Sequence, residues 1–161
     1  MKTRKNEPTI RSAQASEAAE IAGLINHAFQ AERALIDGDR TNTAEVEAWF
    51  KNGEFLVCGD PGRLFGCVYL EAKGHRAYLG LLSVDPAHQG KGIGAGLMAA
   101  AEEWCRKNGC RFVDLRVLSG RQELLPFYSK LGYTRTGTSP MSGTIPLKVP
   151  CHYVHYTKHL G

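Results

Sequence analysis

The chain has 161 residues and a mass of 17.7 kDa, which fits one domain, and its 20 Lys and Arg against 16 Asp and Glu give a net charge of +4. No apolar run approaches the roughly 18 residues of a membrane-spanning helix, and no apolar stretch follows the charged N-terminus, so neither a membrane protein nor a secretory signal is predicted. The basic excess is weak and forms no stripe with aromatic residues, which argues against a nucleic-acid partner.

The five cysteines indicate a reducing compartment. Their number is odd, they form no C-x-x-C pair, and they lie within apolar runs, which favours reduced and buried side chains. We therefore expect a cytoplasmic protein in which residues 1–8 are a flexible tail and residues 9–161 form one domain. The sequence leaves open whether two copies form a homodimer.

The first half of the chain predicts a short strand, two helices and an antiparallel meander. Apolar residues recur at helical spacing after a first strand, and three later apolar runs are separated by turns at Pro61-Gly62 and Lys73-Gly74. Gly80, inside the third run, predicts a bulge or a close backbone approach. The expected elements are a strand at 9–13, helices at 17–30 and from Asn42 or Thr43 to Gly53, and strands at 55–58, 64–70 and 78–84.

The second half predicts one parallel crossover. From Gly92 to Lys107 the apolar residues form a stripe at helical spacing, and two pairs of opposite charge lie four residues apart on the other face. This helix lies between two strands, so the segment 78–117 is a strand–helix–strand unit of parallel type. The remaining elements are a strand at 112–117, a short helix at 122–131, and strands beginning at Tyr133 and Cys151.

The most informative segment is rich in glycine and precedes the strong helix. The sequence DPAHQGKGIGAG (85–96) holds four of the 18 glycines, at alternate positions from Gly90. Glycine inside a helix costs about 1 kcal/mol relative to alanine, so some benefit must offset it. A helix N-terminus offers unpaired N–H groups, and glycines let a phosphate approach them closely. The pattern predicts a phosphate site with Lys91 as an added cation, and a tight packed turn is the alternative.

Two general phosphate-binding patterns compete for this segment. GKGIGA matches the dinucleotide fingerprint G-x-G-x-x-G/A, with Asp114 about 20 residues further on. Against it, residues 85–89 separate the strand from the glycines, and an antiparallel meander precedes the motif. A Walker A loop does not fit, because glycine follows Lys91 in place of Ser or Thr. A dinucleotide-binding oxidoreductase therefore stays as a minor alternative.

A family resemblance accounts for more of the chain. LLSVDPAHQGKGIGAGLM (81–98) resembles the acetyl-CoA-binding segment of the GCN5-related N-acetyltransferase (GNAT) family, in which a strand and a Pro-bearing turn lead into Gln/Arg-x-x-Gly-x-Gly/Ala. LLPFYSKLGY (124–133) looks like a later helix of the same family, and the order of elements agrees from about residue 9 to 159. The resemblance implies an α/β fold with a mixed, mostly antiparallel sheet of about seven strands flanked by about four helices.

The resemblance also implies where acetyl-CoA binds as cosubstrate. In this family the strand before the glycine loop splays from its parallel neighbour, and the pantetheine arm of CoA lies in the gap. The arm is expected to bond with backbone groups of Leu82 and Val84, and the pyrophosphate with N–H groups from Gln89 to Ala95. The implied cofactor-binding residues are Leu82, Ser83, Val84, Gln89, Gly90, Lys91, Gly92, Ile93, Gly94, Ala95, Arg121 and Tyr128.

The implied reaction is direct attack of an amine on the thioester of acetyl-CoA. Tyr128 matches the family's general acid for the leaving thiolate, and a phenol with the ordinary pKa near 10 is protonated at neutral pH. A backbone N–H near Leu82 is expected to stabilise the oxyanion. Glu32, in the early loop, and Glu71 are candidates for the general base. The structural alternatives are a packing role for Tyr128 and solvated surface carboxylates for both glutamates.

Some residues depart from the family pattern or stay unassigned. Arg121 stands where many members have an asparagine seven residues before the tyrosine. The three histidines of the last segment, 152–159, are not expected to bind a metal, because a strand points the first two in opposite directions. His155 or Tyr153 is instead expected to line the substrate end. The acceptor, a small-molecule or peptide amine, is expected to lie between the loops at 31–43 and 139–150. A non-catalytic acyl-CoA sensor is the second candidate function.

Overall fold

A computed structural model describes residues 9–30, 35–141 and 145–161, and its centre is a seven-stranded sheet flanked by helices. Residues 1–8, for which a tail is predicted, lie outside the described residues. The strands are β1 (Ile10–Ser12), β2 (Glu54–Asp60), β3 (Arg63–Lys73), β4 (Arg76–Val84), β5 (Phe112–Leu118), β6 (Thr134–Pro140) and β7 (His152–His159). The helices are α1 (Ala18–Ala28), α2 (Thr43–Phe50), α3 (Ile93–Lys107) and α4 (Leu124–Lys130).

The sheet is mixed and mostly antiparallel. Its strand order is β1-β2-β3-β4-β5-β7-β6, and among these pairings only β4 and β5 are parallel. Parallel strands need a crossover connection, and α3 supplies it. The predicted fold class, the number of strands and the single parallel crossover are therefore confirmed.

Two apolar cores lie on opposite faces of the sheet. One face packs against α3 and α4 and includes Leu97, Val113 and Tyr128. The other packs against α1 and α2, over β2 and β3, and includes Ile25 and Phe55. Among the described residues, β5 and β7 contribute buried side chains to the first core only. The opposite face of these two strands carries mainly polar and aromatic side chains, together with the buried Leu118 at the end of β5.

Local chemistry explains the placement of α2 and α3. The side chain of Asn42 accepts a hydrogen bond from the backbone N–H of Glu45 at 2.9 Å and so caps α2 at the predicted residue. Gly66 on β3 lets α3 approach the sheet closely, because a Cβ there would lie 2.9 Å from Cδ1 of Leu97 and 3.1 Å from Cγ2 of Ile93. This contact places the first turn of α3 directly over β3. None of the helices in the described ranges is long and apolar enough to cross a membrane.

Candidate active site

The parallel strands β4 and β5 separate after a short pairing. Arg76 pairs with Phe112, Ala77 with Val113 and Tyr78 with Asp114, and no later residue of either strand pairs with the other. Within the described chain, the last six residues of β4 and the last four of β5 therefore border an open gap. This gap lies at the carboxyl ends of two parallel strands, next to the start of α3.

A β-bulge lies on the β4 side of the gap. Tyr69 pairs with Gly80 and Cys67 with Ser83, so two residues of β4, Leu81 and Leu82, stand opposite Val68 alone. Leu81 has a φ of +56°, which a residue with a branched side chain rarely adopts. The hydroxyl of Ser83 donates to the carbonyl oxygen of Leu81 at 2.8 Å and holds this conformation.

The bulge changes which residues of β4 face which neighbour. Ala77 and Leu79 pack on the α3 face before it, whereas Leu82 and Val84 pack on that face after it. The backbone N–H of Asp85 donates to the carbonyl of Phe65 on β3 at 2.8 Å, and Ser83 pairs with β3. Because backbone groups of successive strand residues point in opposite directions, those of Leu82 and Val84 point into the gap.

Gly80 has a steric role beside the bulge. A Cβ at this position would lie 2.8 Å from the hydroxyl oxygen of Tyr78 and 2.9 Å from its Cε1. The Tyr78 side chain therefore runs along β4 towards the gap and needs a residue without a side chain there. The group that approaches Gly80 is thus a side chain and not the predicted backbone, and the predicted bulge occurs at the next two residues.

The loop from β4 to α3 is fixed by local hydrogen bonds and one aromatic stack. The Asp85 carboxylate accepts from the backbone N–H of Ala87 at 2.8 Å, and the His88 ring stacks on Phe65 with the ring centroids 4.6 Å apart. Gly90 and Gly92 have φ values of +82° and +78°, and a Cβ at either would meet open space. Their requirement for glycine is therefore conformational and not steric.

The N-terminus of α3 is open for an anion. Gly92 is the N-cap and has no side chain, and the first backbone bond of the helix runs from the N–H of Gly96 to the carbonyl of Gly92 at 3.0 Å. The N–H groups of Ile93, Gly94 and Ala95 precede that bond and have no intrahelical acceptor. Lys91 is exposed beside them. The side chain amide of Gln89 donates to the carbonyl of Val84 at 3.3 Å and ties the loop back to β4.

Tyr128 lies on α4 against the same core as α3. Its side chain is 6% exposed, and it packs against Tyr133 and Tyr156 with ring centroids 6.0 and 6.3 Å away. Burial raises the pKa of Tyr128 to about 12; the Tyr78 hydroxyl adds to the rise, and Arg121 opposes it. No hydrogen bond joins the Tyr128 hydroxyl to another described residue. A protonated donor therefore lies close to both Tyr78 and Arg121.

Arg121 lies in the connection between β5 and α4, and its side chain already forms an ion pair. Its Nε lies 2.5 Å from Oε1 of Glu123, and its guanidinium carbon lies 5.8 Å from the ring centroid of Phe29, at the end of α1. A contact with CoA would have to be made from within this ion pair.

Of the two glutamates that are candidates for the general base, the structure describes only Glu71. Glu32 lies outside the described residues. Glu71 is on β3, where Lys73 Nζ lies 3.0 Å from one carboxylate oxygen and the Tyr69 hydroxyl donates to the other at 2.8 Å. These bonds lower the pKa of Glu71, which makes the carboxylate a weaker base. Glu71 is thus bound into the sheet surface and does not suit proton abstraction.

The two loops predicted to enclose the acceptor are brought together. Ile36 forms a β-bridge with Leu147, and the flanking backbone bonds measure 2.8 Å from Asp37 N to Pro146 O and 2.7 Å from Lys148 N to Leu35 O. Segments 35–37 and 146–148 therefore form a small antiparallel pair between the α1–α2 connection and the β6–β7 connection. Gly120, after β5, packs against the Leu35 side chain, since a Cβ there would lie 2.7 Å from Leu35 Cδ1.

Two residues at the gap, Tyr78 and Arg116, were missed by the sequence-based prediction, whereas Tyr153 was one of two residues expected at the substrate end. Tyr78, Arg116 and Tyr153 lie on β4, β5 and β7, and the Arg116 guanidinium carbon is 5.9 Å from the Tyr78 ring centroid and 4.2 Å from that of Tyr153. Their positions in separate strands carry no motif, so the only available signal was the alternation of residues on each strand. Tyr78 was already the first residue of a predicted strand, and Arg116 faces away from the buried Leu115 and Val117.

The cysteines are not part of this site. Cys58, Cys67, Cys105 and Cys110 are buried and Cys151 is partly exposed, and none forms a disulfide in the described part of the chain. Burial raises the pKa of the thiols of Cys58 to about 11 and of Cys67 and Cys105 to about 12, so these side chains stay protonated. The predicted role as small hydrophobic side chains fits their placement.

Comparison with known proteins gives the family. Residues 20–133 match the model of the acetyltransferase (GNAT) family. The chain is 33% identical over 89 residues to a mycothiol acetyltransferase of Clavibacter sepedonicus, which covers 55% of this chain and 29% of that protein. It is 26% identical to an L-methionine sulfoximine/L-methionine sulfone acetyltransferase of Salmonella typhimurium, with 84% and 85% covered. The chain spans between 29% and 44% of the length of the mycothiol acetyltransferases that it matches.

Solved structures share the fold. The structure of yncA from Salmonella typhimurium, solved with its cofactor acetyl-CoA, has a TM-score of 0.75 and 23% identity, and the likeness covers 97% of this chain and 95% of that one. An N-acetyltransferase from Staphylococcus aureus Mu50 has a TM-score of 0.78 and 17% identity, with 97% and 100% covered. The seven-stranded sheet and its order of helices are therefore those of the family.

Proposed function

The chain belongs to the acetyltransferase (GNAT) family, and from this membership and the open gap beside α3 we propose that it is an N-acetyltransferase that transfers the acetyl group of acetyl-CoA to a primary amine. The observation that carries the proposal is the separation of β4 from β5 directly in front of a glycine-rich helix start. A thioester in the gap and a pyrophosphate at α3 would use two features that the fold otherwise leaves unsatisfied.

The residues of the gap fit acetyl-CoA. The backbone groups of Leu82 and Val84, which face away from β3, would pair with the pantetheine arm as an added strand would. The N–H groups of Gly92 to Ala95, with Lys91 beside them, would hold the pyrophosphate. Bound acetyl-CoA supplies a thioester carbonyl that an amine attacks directly. The N–H of Leu82 lies on the splayed strand and is the proposed donor for the developing oxyanion.

Tyr128 is the proposed general acid. Its raised pKa keeps the hydroxyl protonated over the whole working range, and the hydroxyl is not committed to another described residue. Such a group can give its proton to the departing thiolate. An alkylamine has a pKa near 10, so only a fraction of about 0.1% is neutral at pH 7, and proton removal from the acceptor needs help. Water in the open acceptor side is the proposed route, because Glu71 is held in its two bonds.

The acceptor is proposed to be a small amine, held between β4, β5 and the paired loops. Support comes from a relative that is 26% identical over 84% of this chain and is named as an L-methionine sulfoximine/L-methionine sulfone acetyltransferase. A peptide amine and a homodimer remain predictions. We also propose a cytoplasmic location, which the free and buried thiols support.

Release of the CoA thiol tests the proposal. Purified protein with acetyl-CoA and a panel of amines is followed with a thiol reagent, and mass spectrometry identifies an N-acetyl product. Turnover with at least one amine supports the enzyme. Tight acetyl-CoA binding without release for any amine would instead favour a sensor of acyl-CoA. Binding of NAD(P)H that CoA does not displace would favour an oxidoreductase.

A further inference from the structure

We propose that Arg116 recognises an acid group on the acceptor, so that the amine acetylated by this protein carries a carboxylate or another oxyanion close to its nitrogen. This inference rests on the proposed function and names the substrate class of the same site. It follows from where Arg116 lies, what holds its side chain and what its guanidinium does not bind.

The position of Arg116 is on the acceptor side of the gap. It is the second residue of β5 after Asp114, where pairing with β4 ends. Its neighbours Leu115 and Val117 are buried in the core formed with α3 and α4. Since alternate strand residues face opposite sides, the Arg116 side chain lies on the other face of the sheet from the glycine loop. An acceptor approaching from this face would reach the gap opposite to the pyrophosphate cradle.

Two tyrosines hold the guanidinium. Its carbon lies 4.2 Å from the ring centroid of Tyr153 on β7 and 5.9 Å from that of Tyr78 on β4. The Tyr78 hydroxyl in turn reaches Gly80, at the edge of the bulge. A guanidinium stacked on a ring keeps its N–H edge free for a planar acid group, because stacking uses the face and a bidentate bond uses the edge.

The charge of Arg116 is not used within the described chain. No carboxylate oxygen of a described residue lies within ion-pair distance of it. The nearest acid on the same strand face, Asp114, accepts two bonds of 2.7 Å from Arg76 and one of 2.6 Å from the Thr157 hydroxyl. His155, opposite Arg116 in the register, bonds to the Ser139 hydroxyl at 2.6 Å. Arg116 is thus a cation beside the gap whose position is fixed and whose guanidinium N–H groups pair with no carboxylate of the described residues.

The chemistry selects an acid-bearing amine. In an amino acid the carboxylate is two bonds from the amine, so one side chain can hold the acid while the nitrogen points to the thioester. The fork geometry suits a carboxylate and a phosphorus oxyanion alike. A simple alkylamine has nothing to offer this guanidinium and would leave it unpaired.

Matched amines test the proposal. The test compares three amino acids, L-methionine sulfone, L-phenylalanine and L-glutamate, with their decarboxylated amines and with the phosphonate analogue of phenylalanine. A pH profile for each amine allows kcat/KM to be expressed per concentration of its neutral, unprotonated form. The wild type is expected to prefer at least one acid-bearing amine over its decarboxylated form by roughly a hundredfold. Arg116→Gln is expected to lower that preference about tenfold to a hundredfold, mainly through KM, with partial recovery in Arg116→Lys. The phosphonate distinguishes a carboxylate from a general oxyanion site.

The control is Arg135→Gln, which removes a cation from the exposed edge strand β6 and should leave the preference unchanged. A wild type that prefers the decarboxylated amines, or an Arg116→Gln variant that loses rate equally for all amines, would overturn the proposal. If the wild type releases no thiol with any amine, the proposed enzyme fails on its own. Calorimetric titration of the three amino acids into the CoA-bound wild type and Arg116→Gln then decides the recognition: loss of binding in the variant supports it, and equal or absent binding rejects it.

Discussion

The glycines at the start of α3 predict that one substitution raises stability and lowers cofactor affinity. Gly94 is the second residue of the helix, and a Cβ there would meet Cζ of Phe127 at 3.5 Å and Cγ2 of Val84 at 3.9 Å, which are ordinary contacts. Alanine is favoured over glycine in a helix by up to about 1 kcal/mol, so Gly94→Ala should raise the free energy of unfolding by about 0.5 to 1 kcal/mol. For a chain of this length the Tm should rise by roughly 1 to 4 °C.

The same methyl group is expected to weaken acetyl-CoA binding. It would fill the space that Val84 on the splayed strand and Phe127 on α4 share, beside the N–H groups proposed for the pyrophosphate. Loss of one hydrogen bond to a charged phosphate should weaken binding by roughly tenfold to a hundredfold. Thermal unfolding by circular dichroism without ligand gives the stability, and isothermal titration with acetyl-CoA gives the Kd.

Gly96→Ala is the matched control for this experiment. Its N–H already bonds to the carbonyl of Gly92, and a Cβ there would meet only Cδ1 of Ile10, at 3.8 Å. It should raise stability to a similar degree and leave the Kd unchanged. A lower Tm for Gly94→Ala would mean that this glycine serves packing. A higher Tm with the wild-type Kd would remove its cofactor role, and either result refutes the reasoning.

Three further predictions concern the acid, the pH dependence and the stability. Tyr128→Phe should lower kcat about a hundredfold while the acetyl-CoA Kd changes less than about twofold, which kinetics and calorimetry check; equal losses would make Tyr128 structural. Because burial raises the pKa of Tyr128 to about 12, kcat/KM should rise with pH up to the pKa of the acceptor amine, near 10, and should not fall before the pH approaches about 12; an earlier fall would indicate a different acid. Arg11 and Glu17 form a bidentate ion pair with both contacts at 2.8 Å, which lowers the pKa of Glu17 from 4.5 to about 2. The ion pair therefore stabilises the fold above pH 4.5, and this contribution is lost as the pH falls towards 2. Urea denaturation of Glu17→Gln should therefore show a loss of about 1 to 2 kcal/mol at pH 7 and much less at pH 3, whereas equal losses would contradict the pairing.

Most of the fold could be predicted from the sequence, because its elements have strong local patterns. The stripe of α3, the Asn42 cap of α2 and the turns of the meander each depend on residues that are neighbours in the chain. The insertion of β7 between β5 and β6 does not depend on residues that are neighbours in the chain. It was not predicted, because no local pattern fixes between which strands the last strand inserts. A bulge or a close backbone approach was predicted at Gly80; the bulge lies at Leu81 and Leu82, because Gly80 leaves space for the Tyr78 ring and the extra residue follows it.

The two sides of the gap differ in how far the sequence reveals them, and the physical reason is the kind of group each side uses. The proposed cofactor side consists mainly of backbone groups from one contiguous segment, so residues 82–95 contain nearly all of it as one readable motif. The proposed acceptor side consists of side chains from β4, β5 and β7 and of two loops whose described residues meet at the bridge between Ile36 and Leu147. Such a site exists only once the strands are in register. A change of acceptor would therefore need only scattered side chains, such as the proposed Arg116, and would leave the proposed cofactor segment intact.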